Sequence, residues 1–153
     1  MVLKISDFLK SKAIVMDIKA KDKIEAINEL ADHMVANKFV KDGEAFVKAL
    51  AKRENLESTG IGDGIAIPHA RTDSVKELVL AFARAPHGVD FSSIDGKPSY
   101  LIFLIASPEN KKSEYIMALA KLSRLLRKPT VREKLKNAQD PDEVLNVIKQ
   151  NEE

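Results

Sequence analysis

The chain has 153 residues, 44% of them hydrophobic, which is enough for one sizeable core in a single domain covering residues 1–153. It contains no cysteine, which excludes disulfide bonds, thiolate nucleophiles and cysteine-bound metals, and its formal net charge of +2 does not favour nucleic acid as a partner. No signal-peptide core and no apolar run near the roughly 20 residues of a membrane span occur, so we expect a cytoplasmic protein without direct membrane insertion.

The first third of the chain alternates predicted helices and strands. Residues 5–9, ISDFL, predict a short helix, and the β-branched residues of 13–18 predict a strand. From Lys23 onward the apolar spacing predicts an amphipathic helix, with Asp22 as its N-cap. A further helix is predicted from Glu44 to Asn55, so helices cover at least one face of whatever the strands form.

The middle of the chain holds the strongest strand patterns. Residues 64–70, GIAIPHA, alternate as a strand that leads to a histidine, and Glu77–Ala85 and Ser99–Ser107 follow as strands. The turn-rich segment between those two predicts one short strand around Val89–Phe91. Ser99–Ser107 is so uniformly apolar that both of its faces should be covered, which predicts a central strand between helical layers.

From about residue 113 the pattern is helical to the end. Three helices are predicted over residues 113–127, 129–138 and 140–150, the last with Asp140 as its N-cap. Together the elements predict an α+β fold, specifically a three-layer α/β/α sandwich with a mixed central β-sheet and helices on both faces.

The stretch ESTGIGDGIAIPHAR, residues 57–71, contains glycine at every second position from Gly60 to Gly64. This spacing matches neither the dinucleotide-binding GxGxxG pattern nor a P-loop. Two interpretations remain. The glycines allow backbone N–H groups to converge on an anion, with Ser58, Thr59 and Gly60 as candidate phosphate-binding residues, or they form a hairpin turn.

A histidine, His69, follows this stretch directly. Pro68 restricts the backbone before it, so the imidazole stands on a stiff support. Neutral imidazole is a good nucleophile, and beside an anion site it predicts a phosphorylated histidine, with Arg53 and Arg71 as candidate phosphate ligands. The alternative is a structural histidine that is only hydrogen-bonded.

The other histidines and a basic segment offer weaker candidates. His33 and His87 are expected to be structural or exposed, and no ligand spacing accompanies them, so we expect neither a metal site nor a cofactor. Residues 111–136 hold nine basic and two acidic side chains, which we interpret as the outer faces of amphipathic helices rather than a nucleic-acid site. Asp63 is either a solvated turn residue or a partner contact.

The segment RENLESTGIGDGIAIPHAR, residues 53–71, resembles the signature of the type 2 enzyme IIA domains of the bacterial phosphoenolpyruvate-dependent sugar phosphotransferase system. The similarity extends from LKISDFL through VDFSSIDGKP and LIFLIASPE to the helical end of the chain, and it is greatest to fructose-type members of the fructose and mannitol class.

The resemblance implies a phosphotransferase component with a phosphohistidine intermediate. His69 would accept phosphate from the phosphocarrier HPr, with transfer through Nε2, and pass it to a cysteine of an enzyme IIB domain. Arg53 would stabilise the phosphate by a bidentate contact. A membrane-bound IIC permease would then import a sugar, expected to be fructose or a related hexose or hexitol.

One position departs from the family pattern, since Tyr115 stands where members usually carry a second histidine. A tyrosine hydroxyl can donate a hydrogen bond to phosphate, although it cannot become cationic, so Tyr115 is expected to line the site. The departure also favours an alternative function. Related nitrogen-system IIA proteins use the same histidine to control partner binding without feeding a transporter.

Overall fold

A mixed sheet lies between two layers of helices in the computed structural model, which describes residues 3–152. The predicted three-layer α/β/α sandwich is confirmed. None of the helices in this described range is long and apolar enough to cross a membrane. In chain order the elements are α1 (Ile5–Phe8), β1 (Leu9–Val15), α2 (Lys23–Ala36), α3 (Gly43–Leu56), β2 (Gly60–Gly62), β3 (Ile65–Ala66), β4 (His69–Arg71), β5 (Val79–Val89), β6 (Ser99–Ser107), α4 (Lys112–Leu126), α5 (Pro129–Asn137) and α6 (Pro141–Asn151).

Strand β6 is the centre of the sheet. On one side it pairs antiparallel with β5, whose other edge pairs parallel with β1. On the other side it pairs in parallel with β3 and then with β4, which follow each other along the same edge. The outermost strand on that side is β2, antiparallel to β3. The bounds of β6 and its central position are those predicted from its uninterrupted apolar sequence.

Alternate residues of β6 belong to two separate cores. Ile102 and Leu104 face the core formed with α2 and α3, while Phe103 and Ile105 face the core formed with α1, α4, α5 and α6. In the second core the rings of Phe103 and Phe82 lie 4.7 Å apart between centroids. This period-two burial on both faces explains why the strand contains almost no polar residue.

Helices α2 and α6 begin directly after the predicted N-cap residues. Asp22 accepts a hydrogen bond from the Glu25 amide at 2.9 Å, and Asp140 accepts one from Glu143, also at 2.9 Å. These bonds satisfy amides that the first helical turn leaves without partners. The local pattern therefore determined where α2 and α6 begin.

Three strand predictions were wrong in their bounds. β1 begins at Leu9 instead of residue 13, because an edge strand exposes polar residues that hide its pattern. β5 continues through the predicted turn to Val89, with an irregular register after Arg84, so no separate strand exists there. Residues 64–70 form two short strands, because the pairing with β6 is interrupted at Pro68.

The glycine-rich stretch forms a hairpin between β2 and β3. Gly62 pairs with Ile65, leaving Asp63 and Gly64 as a two-residue turn with φ of 56° and 78°. Positive φ at both central positions defines a type I′ turn, for which Asp-Gly is a preferred sequence. The Asp63 amide donates to the Asp95 carboxylate at 3.1 Å, which joins the turn to the following loop. The predicted hairpin is therefore present in this stretch.

Replacing Gly64 by alanine should lower the free energy of unfolding by about 1–2 kcal/mol, since an L-residue is strained at positive φ. The added Cβ would also lie 3.2 Å from Cδ2 of Tyr100. Gly96→Ala is the matched control, because Gly96 has φ of 71° and open space around it. Urea unfolding of both variants should show the larger loss for Gly64→Ala, and equal losses would contradict a contribution from the Tyr100 contact.

Candidate functional site

His69 is the first residue of β4, beside the end of the central strand. It pairs with Ile105 of β6, and the Ile105 amide donates to the carbonyl of Pro68 at 3.0 Å. The backbone on both sides of the ring is therefore held to the best-buried strand of the sheet. Helix α3 packs against β4 on one side, and Tyr115 of α4 approaches the ring from the other layer.

The imidazole ring of His69 is half-buried and makes one described hydrogen bond. Its Nδ1 lies 2.7 Å from the carbonyl oxygen of Ile67. A carbonyl oxygen can only accept, so Nδ1 must carry the proton in this contact. In the neutral ring the lone pair is then on Nε2. The geometry thus leaves Nε2 as the nucleophilic atom.

The surroundings favour the neutral form of this ring. Burial lowers the pKa of His69 below its ordinary value of 6.5, and the positive charge of Arg53 acts in the same direction. The hydrogen bond to Ile67 and the negative charge of Glu54 oppose these effects without reversing them. At neutral pH the Nε2 lone pair is therefore available.

Positively charged and hydroxyl groups share an open groove of about 770 Å³ with the histidine. Arg53, in the last turn of α3, donates from Nη1 to the Glu57 carbonyl at 2.8 Å. Arg71 lines the same groove from the end of β4. The Tyr115 ring lies 5.9 Å from that of His69 between centroids. Together these groups can meet a phosphoryl group with two guanidinium ions and a hydroxyl.

Tyr115 keeps its proton over the physiological range. Burial raises the pKa of its hydroxyl above the ordinary 10.0, and the charges of Arg53 and Arg71 only partly offset that effect. The hydroxyl is therefore a hydrogen-bond donor at neutral pH. A protonated phenol beside the nucleophile can donate to an oxygen of a bound phosphoryl group.

The structure brings together His69, Arg53 and Tyr115 but not the predicted phosphate-binding residues of the glycine-rich stretch. The Ser58 hydroxyl donates to the carbonyl of Phe91 and accepts from the Gly60 amide. Thr59 is only 3% exposed, and its hydroxyl donates to the Glu54 carboxylate at 2.6 Å. These polar groups hold the hairpin in place, so the geometry gives no support to a phosphate-binding role for them.

Glu54 is the residue near the site that sequence reasoning missed. Its carboxylate is buried, accepts from the Thr59 amide at 2.8 Å as well as from the hydroxyl, and lies 3.8 Å from Nζ of Lys23. A glutamate in an amphipathic helix is ordinarily expected on the exposed face. The only signal was its place beside Arg53, which the pattern of the helix does not distinguish.

The other two histidines have structural contacts. Nε2 of His33 lies 2.7 Å from the Lys12 carbonyl, and Nε2 of His87 lies 2.6 Å from the Ala20 carbonyl. The first joins α2 to β1 and the second joins β5 to the loop before α2. Neither histidine lines the groove that contains His69.

Comparison with known proteins places this geometry in context. Residues 7–151 match the family described as "Phosphoenolpyruvate-dependent sugar phosphotransferase system, EIIA 2". The fructose-specific EIIABC component of the phosphotransferase system of Bacillus subtilis is 37% identical over 98% of this chain. The chain spans only 24% of the length of that relative.

Two solved structures share the fold over nearly their whole length. The nitrogen regulatory protein IIA-Ntr of Neisseria meningitidis superposes with a TM-score of 0.87 at 33% identity, over 94% of this chain and 98% of that one. A complex of enzyme IIAMTL with phosphorylated enzyme IIBMTL from Escherichia coli matches with a TM-score of 0.79 at 28% identity, over 94% and 99%.

Replacing Arg53 by glutamine should raise the pKa of His69, because the arginine charge disfavours protonation of the ring. The ring signals of His69, followed by NMR across a pH titration, measure the change. Lys48→Gln is the matched control: Lys48 lies on the same helix with 79% of its side chain exposed, and its loss should leave the titration of His69 unchanged. An unchanged midpoint in Arg53→Gln would contradict the charge contact.

Proposed function

The chain belongs to the type 2 EIIA family of the phosphoenolpyruvate-dependent sugar phosphotransferase system, and we propose that it carries a phosphoryl group on Nε2 of His69. The observation that carries this proposal is the contact between Nδ1 of His69 and the Ile67 carbonyl, which assigns the lone pair to Nε2. Arg53 and Tyr115 stand beside the ring as groups suited to the charge of a phosphoryl group.

In the first step, the Nε2 lone pair of His69 attacks the phosphorus of phosphohistidine on HPr. A P–Nε2 bond forms while the P–N bond of HPr breaks, and its electron pair stays with the HPr imidazole. The ring of His69 gains positive charge as it bonds to phosphorus, because Nδ1 keeps its proton. The Ile67 carbonyl, 2.7 Å from Nδ1, stabilises that charge.

In the second step, a cysteine thiolate of an enzyme IIB domain attacks the same phosphorus. An S–P bond forms, the P–Nε2 bond breaks, and the electron pair returns to Nε2, so the neutral ring is restored for another cycle. The Escherichia coli complex between a IIA protein and a phosphorylated IIB protein supports such a partner. In both steps Arg53 stabilises the negative charge on the phosphoryl oxygens.

Two cellular roles share this chemistry. The fructose-specific Bacillus subtilis relative favours sugar uptake, in which the phosphoryl group continues through IIB to a fructose-class sugar imported by a membrane IIC permease. The Neisseria meningitidis nitrogen regulatory protein, matched over 98% of its length, favours a regulator whose phosphorylation state controls partner binding. Either role takes place in the cytoplasm, where HPr would be the donor.

We expect His69→Gln to abolish labelling by phosphoenolpyruvate, enzyme I and HPr, because no other group in the groove offers a comparable nucleophile. His33→Gln is the matched control, since His33 bonds a backbone carbonyl away from the groove and its loss should leave labelling intact. Radiolabelled phosphate retained on the protein measures the result. Labelled His69→Gln would overturn the proposal.

The same labelled protein separates the two roles. Addition of a fructose-type IIB protein should discharge the phosphohistidine within seconds to minutes if the chain serves sugar uptake. Retention of the label with a panel of IIB proteins, together with a partner protein that binds only one phosphorylation state, would assign the regulatory role. Acid lability of the label distinguishes phosphohistidine from a phosphate ester in either case.

Removal of one hydroxyl tests the role of Tyr115. Tyr115→Phe should be labelled more slowly, by about 10-fold, which corresponds to one hydrogen bond to a charged group. Tyr100→Phe is the matched control, because Tyr100 lies beside the hairpin turn and not in the groove. Single-turnover transfer from phosphorylated HPr gives both rates. An unchanged rate in Tyr115→Phe would show that the ring only packs against His69.

A further inference from the structure

We propose that Glu54 is a positioning residue that fixes the reactive tautomer of His69 through a chain of hydrogen bonds in the backbone. The proposal rests on the proposed function of His69 as the phosphoryl acceptor. Glu54 does not line the groove, and its action on the tautomer is through Thr59 and Ile67, separate from the effect of its charge on the ring.

Both its position at the end of a helix and its burial disfavour a charged glutamate at residue 54. It lies in the last turn of α3, where the partial negative charge of the helix end disfavours a carboxylate. Its side chain is also only 1% exposed, so it has lost its hydration. A residue that breaks two local preferences is expected to be compensated and to serve a purpose beyond packing.

The compensation comes from one residue and one cation. The Thr59 amide and hydroxyl donate to the two carboxylate oxygens of Glu54 at 2.8 Å and 2.6 Å, and Lys23 Nζ lies 3.8 Å away. Two donors from a single residue hold that residue in both position and orientation. The carboxylate therefore clamps the start of the hairpin onto the end of α3.

Further hydrogen bonds connect Thr59 to the ring of His69. The Thr59 carbonyl accepts from the Ile67 amide at 3.0 Å, and the Ile67 carbonyl accepts from Nδ1 of His69 at 2.7 Å. The contacts form one line from Glu54 through the residues Thr59 and Ile67 to the ring. Each of these two residues is held at both its amide and its carbonyl, so the position of one fixes the position of the next. The position of the Ile67 carbonyl, which decides the tautomer of His69, thus depends on Glu54.

A second hydrogen bond holds the same loop. Arg53, the neighbour of Glu54, donates to the carbonyl of Glu57. The two adjacent side chains at the end of α3 therefore hold both ends of the short segment 57–59. If Glu54 releases Thr59, Arg53 alone holds the loop, and the Ile67 carbonyl is free to move away from Nδ1.

Glu54→Leu is the primary test, because leucine has a similar volume but offers no acceptor to either Thr59 donor. Nitrogen NMR of the His69 ring in the full chain should show a proton on Nδ1 in the wild type and a mixture of tautomers in the variant. The rate constant for transfer from phosphorylated HPr should fall about 10-fold, with KM for HPr changed less than about 2-fold, as expected when a hydrogen-bonded residue that orients a reactive group is lost.

Two further variants keep the test decisive. Glu44→Leu removes a carboxylate from the same helix with 84% of the side chain exposed, and it should change neither tautomer nor rate. Thr59→Ser keeps both donors and should behave as wild type, whereas Thr59→Val loses the hydroxyl donor and should show a smaller tautomer shift than Glu54→Leu. This pair serves as the test if Glu54→Leu does not fold.

A wild-type tautomer in folded Glu54→Leu would overturn the proposal, and so would a slower rate without any tautomer change. The ring NMR needs no phosphoryl transfer. A tautomer shift in a protein whose wild type accepts no label from HPr would therefore support the positioning role while overturning the proposed function.

Discussion

The interruption of the sheet at Pro68 is the constraint on which the site depends. A proline has no amide hydrogen, so the pairing of β3 with the central strand stops there and resumes with β4. In the gap between the two strands the Ile67 amide donates to the Thr59 carbonyl, and the Ile67 carbonyl accepts from Nδ1 of His69. The segment between β3 and β4 thus supports the ring of His69 and selects a single tautomer of the proposed nucleophile.

The electrostatic environment of the ring is a balance between groups that have opposite effects. Burial and Arg53 favour the neutral form of His69, which the proposed nucleophile requires, while the Ile67 carbonyl and Glu54 favour the positive charge that the ring would acquire on the proposed phosphorylation. A site with only burial and Arg53 would favour attack by the neutral ring but would stabilise the phosphorylated ring poorly. The combination suits a carrier that must accept a phosphoryl group and release it again.

Two helical layers contribute different parts of the groove. Arg53 comes from α3, on one face of the sheet, and Tyr115 comes from α4, on the other. The tyrosine stands where the resembling family usually has a second histidine, and its raised pKa keeps it an uncharged donor. The site of this chain therefore relies on the arginines for positive charge, whereas a second histidine would add a group whose charge varies with pH.

Local rules were sufficient wherever the outcome depended on neighbouring residues. The apolar run of β6, the caps at Asp22 and Asp140, and the stiff Pro68–His69 step all followed from the sequence, as did the family. The glycine-rich stretch was compatible with both an anion site and a hairpin, because positive φ serves either. Only the pairing of Gly62 with Ile65 showed that this backbone forms the hairpin.

Contacts between distant segments decided the rest. The sequence by itself determined the fold class and the central strand and indicated His69 as the proposed nucleophile, because these depend on periodicity and on residue type. Tertiary structure decided that Thr59 bonds to Glu54 and not to a ligand, and that the Ile67 carbonyl directs the ring of His69. Such hydrogen bonds depend on which chain segments come into contact in the fold, and no local sequence pattern specifies those contacts.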